Sequence, residues 1–270
     1  MVYPGGHSEM RELMRRYVYH FVNGRDFNEP KRIMSKDYTL HMGSDILRGR
    51  DTAYLPAVQH QFSRFPHLEY SIHELIGNET MTAVRFSEHG RPLANPSVAA
   101  SWMGVAIYRR GRKRLEECWV EQDHFGRRAQ LASGEGDPIP PIAAAPWDAP
   151  TVGDSALAGQ VFHRWAADLA QWPPTPSSLD PGQASCSQPL LTDSVITINA
   201  HVAQGSTVAA NLTVTGTYAG GLPGLDHAHG EQVSTFAGVF ATVIDGAVSD
   251  VRGVTNRVAV QRALRDGKQT

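Results

Sequence analysis

The sequence predicts an α+β protein built from two similar units, and three observations lead there. A strand–turn–strand segment occurs twice, as SWMGVAIYRRGRKRLEECWVEQDHFGRRAQL from Ser101 and as STFAGVFATVIDGAVSDVRGVTNRVAVQRAL from Ser234. In each half, helical patterning comes first and a run of strands follows, which is an α+β order. Between the halves, residues 132–150 read ASGEGDPIPPIAAAPWDAP, a stretch rich in Pro, Ala and Gly. A repeat at fixed offset marks a duplicated structural unit. At that offset Asp123 falls on Asn256, so an acid in one copy is an amide in the other.

The elements follow in order. Met10, Leu13, Met14, Tyr17, Val18 and Phe21 recur at helical spacing from Ser8 to Asn23, with Ser8 as N-cap and Asn23-Gly24 as stop. A short helix is expected over 29–34, a short strand over 38–42 and a helix over 51–65 carrying Leu55, Val58, Phe62 and Phe65. Strands are then expected at 68–76, 81–88, 99–109 and 115–123, each ending in a short tail or turn signal. Prolines in the connecting stretch predict an extended linker over 134–152 rather than a slack one. The second unit opens with a helix from about 154 to 171, and strands are expected at 194–203, 208–218, 232–244 and 248–255. The Pro/Ser-rich segment 172–189 leaves little room for further helices, so the second unit reads as an abbreviated copy. The expected domains are 1–133, with the candidate active site, and 153–270.

Composition narrows the function. Of 270 residues, 41% are hydrophobic and 19% charged, enough apolar material for a proper core. A net charge of −2 with no acidic or basic tail argues against nucleic acid as a partner. The two cysteines, Cys118 and Cys186, have no CxxC neighbour, so neither a disulfide framework nor a thiolate zinc site is expected. The opening MVYPGGHSEMRE has no apolar core segment of a signal peptide, and no apolar run approaches the ~20 residues that span a bilayer. A cytoplasmic protein is the expectation. The basic run Arg109 to Arg114 falls on a hairpin turn and reads as solvated. His227 and His229 form an HxH in a Gly-rich loop, too little for a metal site. No phosphate-binding glycine motif, GxSxG or HExxH occurs, so no cofactor is expected.

Several segments of the first half carry a resemblance. They are DYTLHMGSDILRGRD, FPHLEYSIHEL, the strand TAVRF, and IYRRGRKRLEECWVEQDHFGRRAQL, where Trp119 and Asp123 stand four apart before Gln130-Leu131. This half resembles the SnoaL-like polyketide cyclase family of the NTF2-like superfamily. The second half resembles the same family in TVTGTYAGGLPG and in its last hairpin. The resemblance implies two cones, each a curved antiparallel sheet wrapped on helices around an apolar pocket. A tandem copy is then placed to form a pseudo-dimer within one chain, with further homo-oligomers open to it.

The resemblance also implies that Asp123 is the acid/base. Trp119, Glu121 and Asp123 alternate along one strand and share a face. A carboxylate facing an apolar cone beside an indole is tuned toward proton transfer near neutrality. His41 and His89 are the next catalytic candidates, able to polarise a carbonyl or relay a proton. Tyr17, Arg85, Trp102, Trp119 and Glu121 are expected to contact substrate, with Arg85 also a partner for Asp123 or Glu121. Epoxide-hydrolase relatives place an Arg between two Asp residues, whereas Ser87 follows Arg85 here. The expected function is cofactor-independent acid/base chemistry on a small, largely apolar natural-product-type molecule: cyclisation, isomerisation, aldol or retro-aldol reaction, or dehydration. The alternatives are a ligand-binding module without turnover and an epoxide-hydrolase-type relative.

Overall fold

A computed structural model describes residues 5–148, 151–174, 178–179 and 189–266. The first unit opens with α1 (Gly5–Arg15), which runs on as a π-helical segment, Arg16–Val22. The helix therefore starts before Ser8, which is not its cap. Met10, Leu13, Met14, Val18, Phe21 and Val22 are all buried, as the spacing predicted. α2 (Glu29–Ile33), β1 (Met34–Met42) and β2 (Asp45–Arg48) follow. A second π-helical turn, Arg50–Tyr54, leads into α3 (Leu55–Arg64). β3 (Glu69–Gly77), β4 (Met81–Gly90), β5 (Ala100–Arg110) and β6 (Leu115–Gln122) form the meander, and α4 (His124–Ser133) closes the unit.

The second unit holds α5 (Ser155–Ala167), β7 (Gln171–Trp172), β8 (Ser178–Leu179), β9 (Leu191–Gln204), β10 (Thr207–Tyr218), β11 (Gln232–Ile244), β12 (Ala247–Thr255) and α6 (Arg257–Asp266). Most of the Pro/Ser-rich segment lies outside the described residues. The first sheet runs β2-β1-β6-β5-β4-β3 and the second β7-β9-β10-β11-β12-β8. The expected pair of α+β units is present, with one correction to the strand plan. β1 pairs with β6, and β8 with β12, in parallel, so neither sheet is wholly antiparallel. The two short tails predicted after the meanders are helices, α4 and α6.

The sheets pack face to face. Ala83, Val105 and Ile107 of the first meet Ala200, Val202, Ala209 and Phe240 of the second in one buried cluster. The approach is close because Gly238 has no side chain: a Cβ there would stand 2.7 Å from Cβ of Val105. The linker is held rather than slack. Its Ala143 N–H donates to Ile72 O at 3.0 Å, and Trp147 is buried against Tyr19, with Arg15 over its ring. Beyond it, Val152 O accepts from Ser206 N of the second unit at 2.7 Å.

Candidate active site

Strand parity decides what faces the interior of the first cone. Val84, Phe86 and Glu88 alternate on β4, Ala106 and Tyr108 on β5, and Cys118, Val120 and Gln122 on β6. Of these, Phe86, Glu88, Tyr108, Cys118, Val120 and Gln122 line a cavity of about 160 Å³. The helical side supplies Tyr17, Phe21, Val22 and Tyr54 from the two π-helical segments, and Ala57, Val58, Gln61 and Phe62 from α3. π-Helical turns rotate side chains out of ordinary helical register and often sit at functional sites. Leu40, Met42, Leu47 and Tyr70 complete the wall. Ala57, Val58, Leu40 and Leu47 are at least partly exposed, which puts the mouth between α3 and the β1–β2 hairpin. The buried tyrosines form the floor.

Those tyrosines support one another. The hydroxyls of Tyr17 and Tyr54 are 3.1 Å apart and hydrogen-bonded. The Tyr17 ring lies 5.3 Å from that of Tyr108, and Tyr70 stacks on Phe86 at 4.3 Å. Phe86 lies directly over Gly104, where a Cβ would come 2.3 Å from the ring. Burial pushes Tyr17 up to about 12 and Tyr54, Tyr70 and Tyr108 well above the ordinary phenol range. All four stay protonated near neutrality and so keep a hydroxyl donor in the cavity wall.

Glu88 is the acid of this cavity. Its side chain is buried, and Oε2 accepts from Gln61 Nε2 at 2.8 Å. Burial raises its pKa to about 7, with the charge of Arg127 and the Gln61 hydrogen bond pulling the other way. The Arg127 guanidinium lies 4.8 Å over the ring of Trp102, whose indole N–H donates to Gln122 at 3.1 Å. Trp102 thus supports this end of the cavity from outside its lining. A carboxyl near pH 7 can both accept and donate a proton, the condition for general acid/base work.

Asp123 lies elsewhere, and its expected place in the cone is corrected. It caps α4, accepting from Gly126 N at 2.8 Å, and its oxygens accept from Arg257 of the second unit at 2.8 and 2.7 Å. Asn256 has the same job: its Oδ1 accepts from Ala259 N at 3.1 Å at the start of α6. Both residues of the repeat are helix N-caps, for which Asp and Asn serve equally. Trp119, Glu121 and Asp123 do share one face, but that face points at the second unit. Trp119 packs in the inter-sheet cluster and stacks on His41 at 5.2 Å. Glu121 accepts from Gly43 N at 2.9 Å and from Asn256 Nδ2 at 3.0 Å. Burial between the sheets raises its pKa to about 7.

The remaining candidates also face away from the cavity. His41 pairs with Glu117 at 2.8 Å. Arg85 pairs with Glu74 at 3.0 Å, not with Asp123 or Glu121, and Glu74 is also bound by Arg252 across the units. His89 joins a chain on the outer face: Ser101 Oγ to His89 Nδ1 at 2.9 Å, His89 Nε2 to Ser87 Oγ at 2.7 Å, Ser87 to His73 Nε2 at 2.8 Å, and His73 Nδ1 to Pro141 O at 2.9 Å. Of the residues expected at the site, Tyr17 alone lines the cavity. Glu88, Gln61, Gln122, Tyr54, Tyr70 and Tyr108 were missed. The legible signal for Glu88 was its parity with Val84 and Phe86, an acid ending an apolar stripe.

Among the described residues no three His, Cys, Asp or Glu side chains are grouped to hold a metal, and no helix is long and apolar enough to cross a membrane.

Residues 14–117 match the family described as SnoaL-like domain. A search of curated proteins found no match. Among solved structures, the chain is similar to IdmH of Streptomyces antibioticus, named a candidate polyketide cyclase, at 17% identity over 45% of this chain and 96% of that one, with a TM-score of 0.40. A candidate SnoaL-like polyketide cyclase from Jannaschia aligns at 14% identity over 52% of this chain and 99% of that one, TM-score 0.43. AclR of Streptomyces galilaeus, named a candidate hydroxylase, aligns at 15% identity over 47% and 98%, TM-score 0.43. The match to the SnoaL-like domain falls within the first unit, the one that holds the cavity.

Proposed function

We propose that the protein is a cofactor-independent acid/base enzyme in which Glu88 moves a proton on a small, largely apolar molecule held in the first unit. The observation that carries this is a buried carboxyl, its pKa raised to about 7, in a cavity otherwise lined mostly by aliphatic side chains, aromatic rings and phenols. As a carboxylate, Glu88 takes a proton from carbon next to a carbonyl. As the acid so formed, it returns the proton at a second position or to an oxygen. Tyrosine hydroxyls supply donors where negative charge gathers on the substrate oxygen, which stabilises the intermediate in a site shielded from water. Isomerisation, aldol closure and its reverse, and dehydration all use that pair of steps. The polyketide cyclase names of the similar structures agree with this class of chemistry. Arg85, turned to the outer face and bound to Glu74, gives the epoxide-hydrolase alternative no support.

In this reading the chain divides into a cavity-bearing unit, 1–133, a linker, 134–152, and a second unit, 153–270, that serves as structural partner. The test is proton exchange. Purified protein in D2O is incubated with cyclohexanone, 1-tetralone and anthrone, and loss of the exchangeable C–H signal is followed by NMR, at the α-carbon of the first two and at C10 of anthrone. Exchange above background that disappears in Glu88→Gln supports the reading. No exchange with any of them, or equal exchange in the variant, removes Glu88 from the role.

A further inference from the structure

The cavity also restricts what it accepts, and this inference rests on the reading that it is the substrate site. We propose that it takes a ligand of a single six-membered ring bearing one acceptor oxygen, and that Tyr70 receives that oxygen. Size comes first. The cavity holds about 160 Å³. An apolar cavity of about 150 Å³ holds one benzene ring, so a second fused ring does not fit within these walls.

The walls have little room to retreat. Tyr70 and Phe86 stack on each other, Tyr17 packs between Phe21, Tyr70 and Tyr108, and Phe86 already fills the space over Gly104. Shifting one ring moves several. Interiors packed at this density resist such changes at a cost of about 1–3 kcal/mol for each overpacked site.

Polarity comes second. Among the cavity-lining residues, Tyr17, Tyr54, Gln61, Glu88 and Gln122 have side-chain hydrogen bonds, and the Tyr108 hydroxyl lies against Tyr17 and Cys118. The buried hydroxyl of Tyr70 makes no hydrogen bond of ordinary geometry, although the Tyr108 hydroxyl lies near enough to offset part of the rise that burial causes in its pKa. A buried donor without a partner is destabilising, so a ligand acceptor there is favoured. Tyr70 is also the direct cross-strand neighbour of Glu88. Side chains so paired stand about 5 Å apart at Cβ. An oxygen held by Tyr70 therefore leaves a carbon one or two bonds away within reach of Glu88. A cyclic ketone or enone of one ring has that spacing.

Binding of cyclohexanone, toluene, 1-tetralone and anthrone to the full chain is measured by calorimetry, for wild type, Tyr70→Phe and Tyr108→Ala. Cyclohexanone is expected to bind at least tenfold more tightly than 1-tetralone or anthrone. Tyr70→Phe should weaken cyclohexanone roughly tenfold and leave toluene unchanged, the signature of one lost hydrogen bond. Tyr108→Ala should admit 1-tetralone. Wild-type binding of 1-tetralone or anthrone as tight as that of cyclohexanone overturns the size limit, as does failure of every compound to bind. An equal loss for toluene and cyclohexanone in Tyr70→Phe overturns the role of that hydroxyl. Selective binding of cyclohexanone without proton exchange leaves this inference standing and removes the catalytic reading. Exchange with anthrone but not cyclohexanone does the reverse.

Discussion

On β4 of the first unit, the residue facing Trp102 across the ladder is Glu88. One repeat further on, Trp102 aligns with Thr235, and the residue facing Thr235 is Val214 of β10. The same correspondence sets Tyr108 against Ala241. The first cone therefore keeps an acid and a phenol where the second has two small apolar residues. Around Val214 and Ala241 the second interior closes into a continuous core with Phe162, Trp172, Leu212, Tyr218 and Val239. Trp172 even donates its indole N–H to Thr255 at 2.9 Å, at the position aligned with Gln122. Two units with one strand plan thus differ in whether the cone is filled. The difference that bears on chemistry is Glu88 against Val214. Asp123 against Asn256 is an exchange between two helix caps.

The strongest way to break this comparison is to remove the acid. Glu88→Gln keeps the shape and the Gln61 contact, and turnover should fall by ~10²–10⁴-fold. With Glu88 acting as the base, wild-type rate should climb as pH rises through about 7 and the variant should lose that limb. A folded Glu88→Gln enzyme at full rate, or a flat wild-type profile, ends the assignment.

Next in size is Asp123→Asn, which separates capping from catalysis. An amide still caps α4 but removes the buried carboxylate that pairs with Arg257 between the units. Stability in urea should drop by about 3 kcal/mol, while turnover per folded molecule stays at the wild-type value. A rate loss of the kind expected for Glu88→Gln would restore Asp123 as the acid.

The pH dependence of stability tests the inter-unit acid. Glu121 has its pKa raised by burial to about 7, above the ordinary carboxyl value. Its protonated form is the one favoured in the fold. Its contribution is therefore complete below the unfolded value and is lost as pH rises through about 7. Glu121→Gln should make the melting temperature fall less between pH 5 and pH 8, while leaving the cavity's ligand binding untouched. An unchanged slope means Glu121 is ionised in the folded protein throughout that range.

The smallest expected effect belongs to Asn256→Ala. It removes the α6 cap and one hydrogen bond to Glu121, and should cost about 1–2 kcal/mol without altering turnover. A cost near zero would mean that water replaces both bonds.

The sequence by itself determined the duplicated α+β plan, the amphipathic opening helix and the eight principal strands. Apolar spacing of 3.6 or 2 reports which side of an element is buried, and Pro and Gly mark where elements stop. It also paired Trp119, Glu121 and Asp123 on one face. What it did not decide is which of a strand's two faces looks into the cone, because both faces of β4, β5 and β6 are buried. One face is covered by the unit's own helices and the other by the second sheet. With both faces buried, an indole beside an acid pointed to Asp123 rather than to the stripe Val84, Phe86, Glu88. The helices α4 and α6 were read as tails, although Asp123 and Asn256 announce them as N-caps. Only the tertiary structure placed the sheets face to face, turned Asp123 toward Arg257, and left Glu88 as the acid inside a hollow ringed by tyrosines.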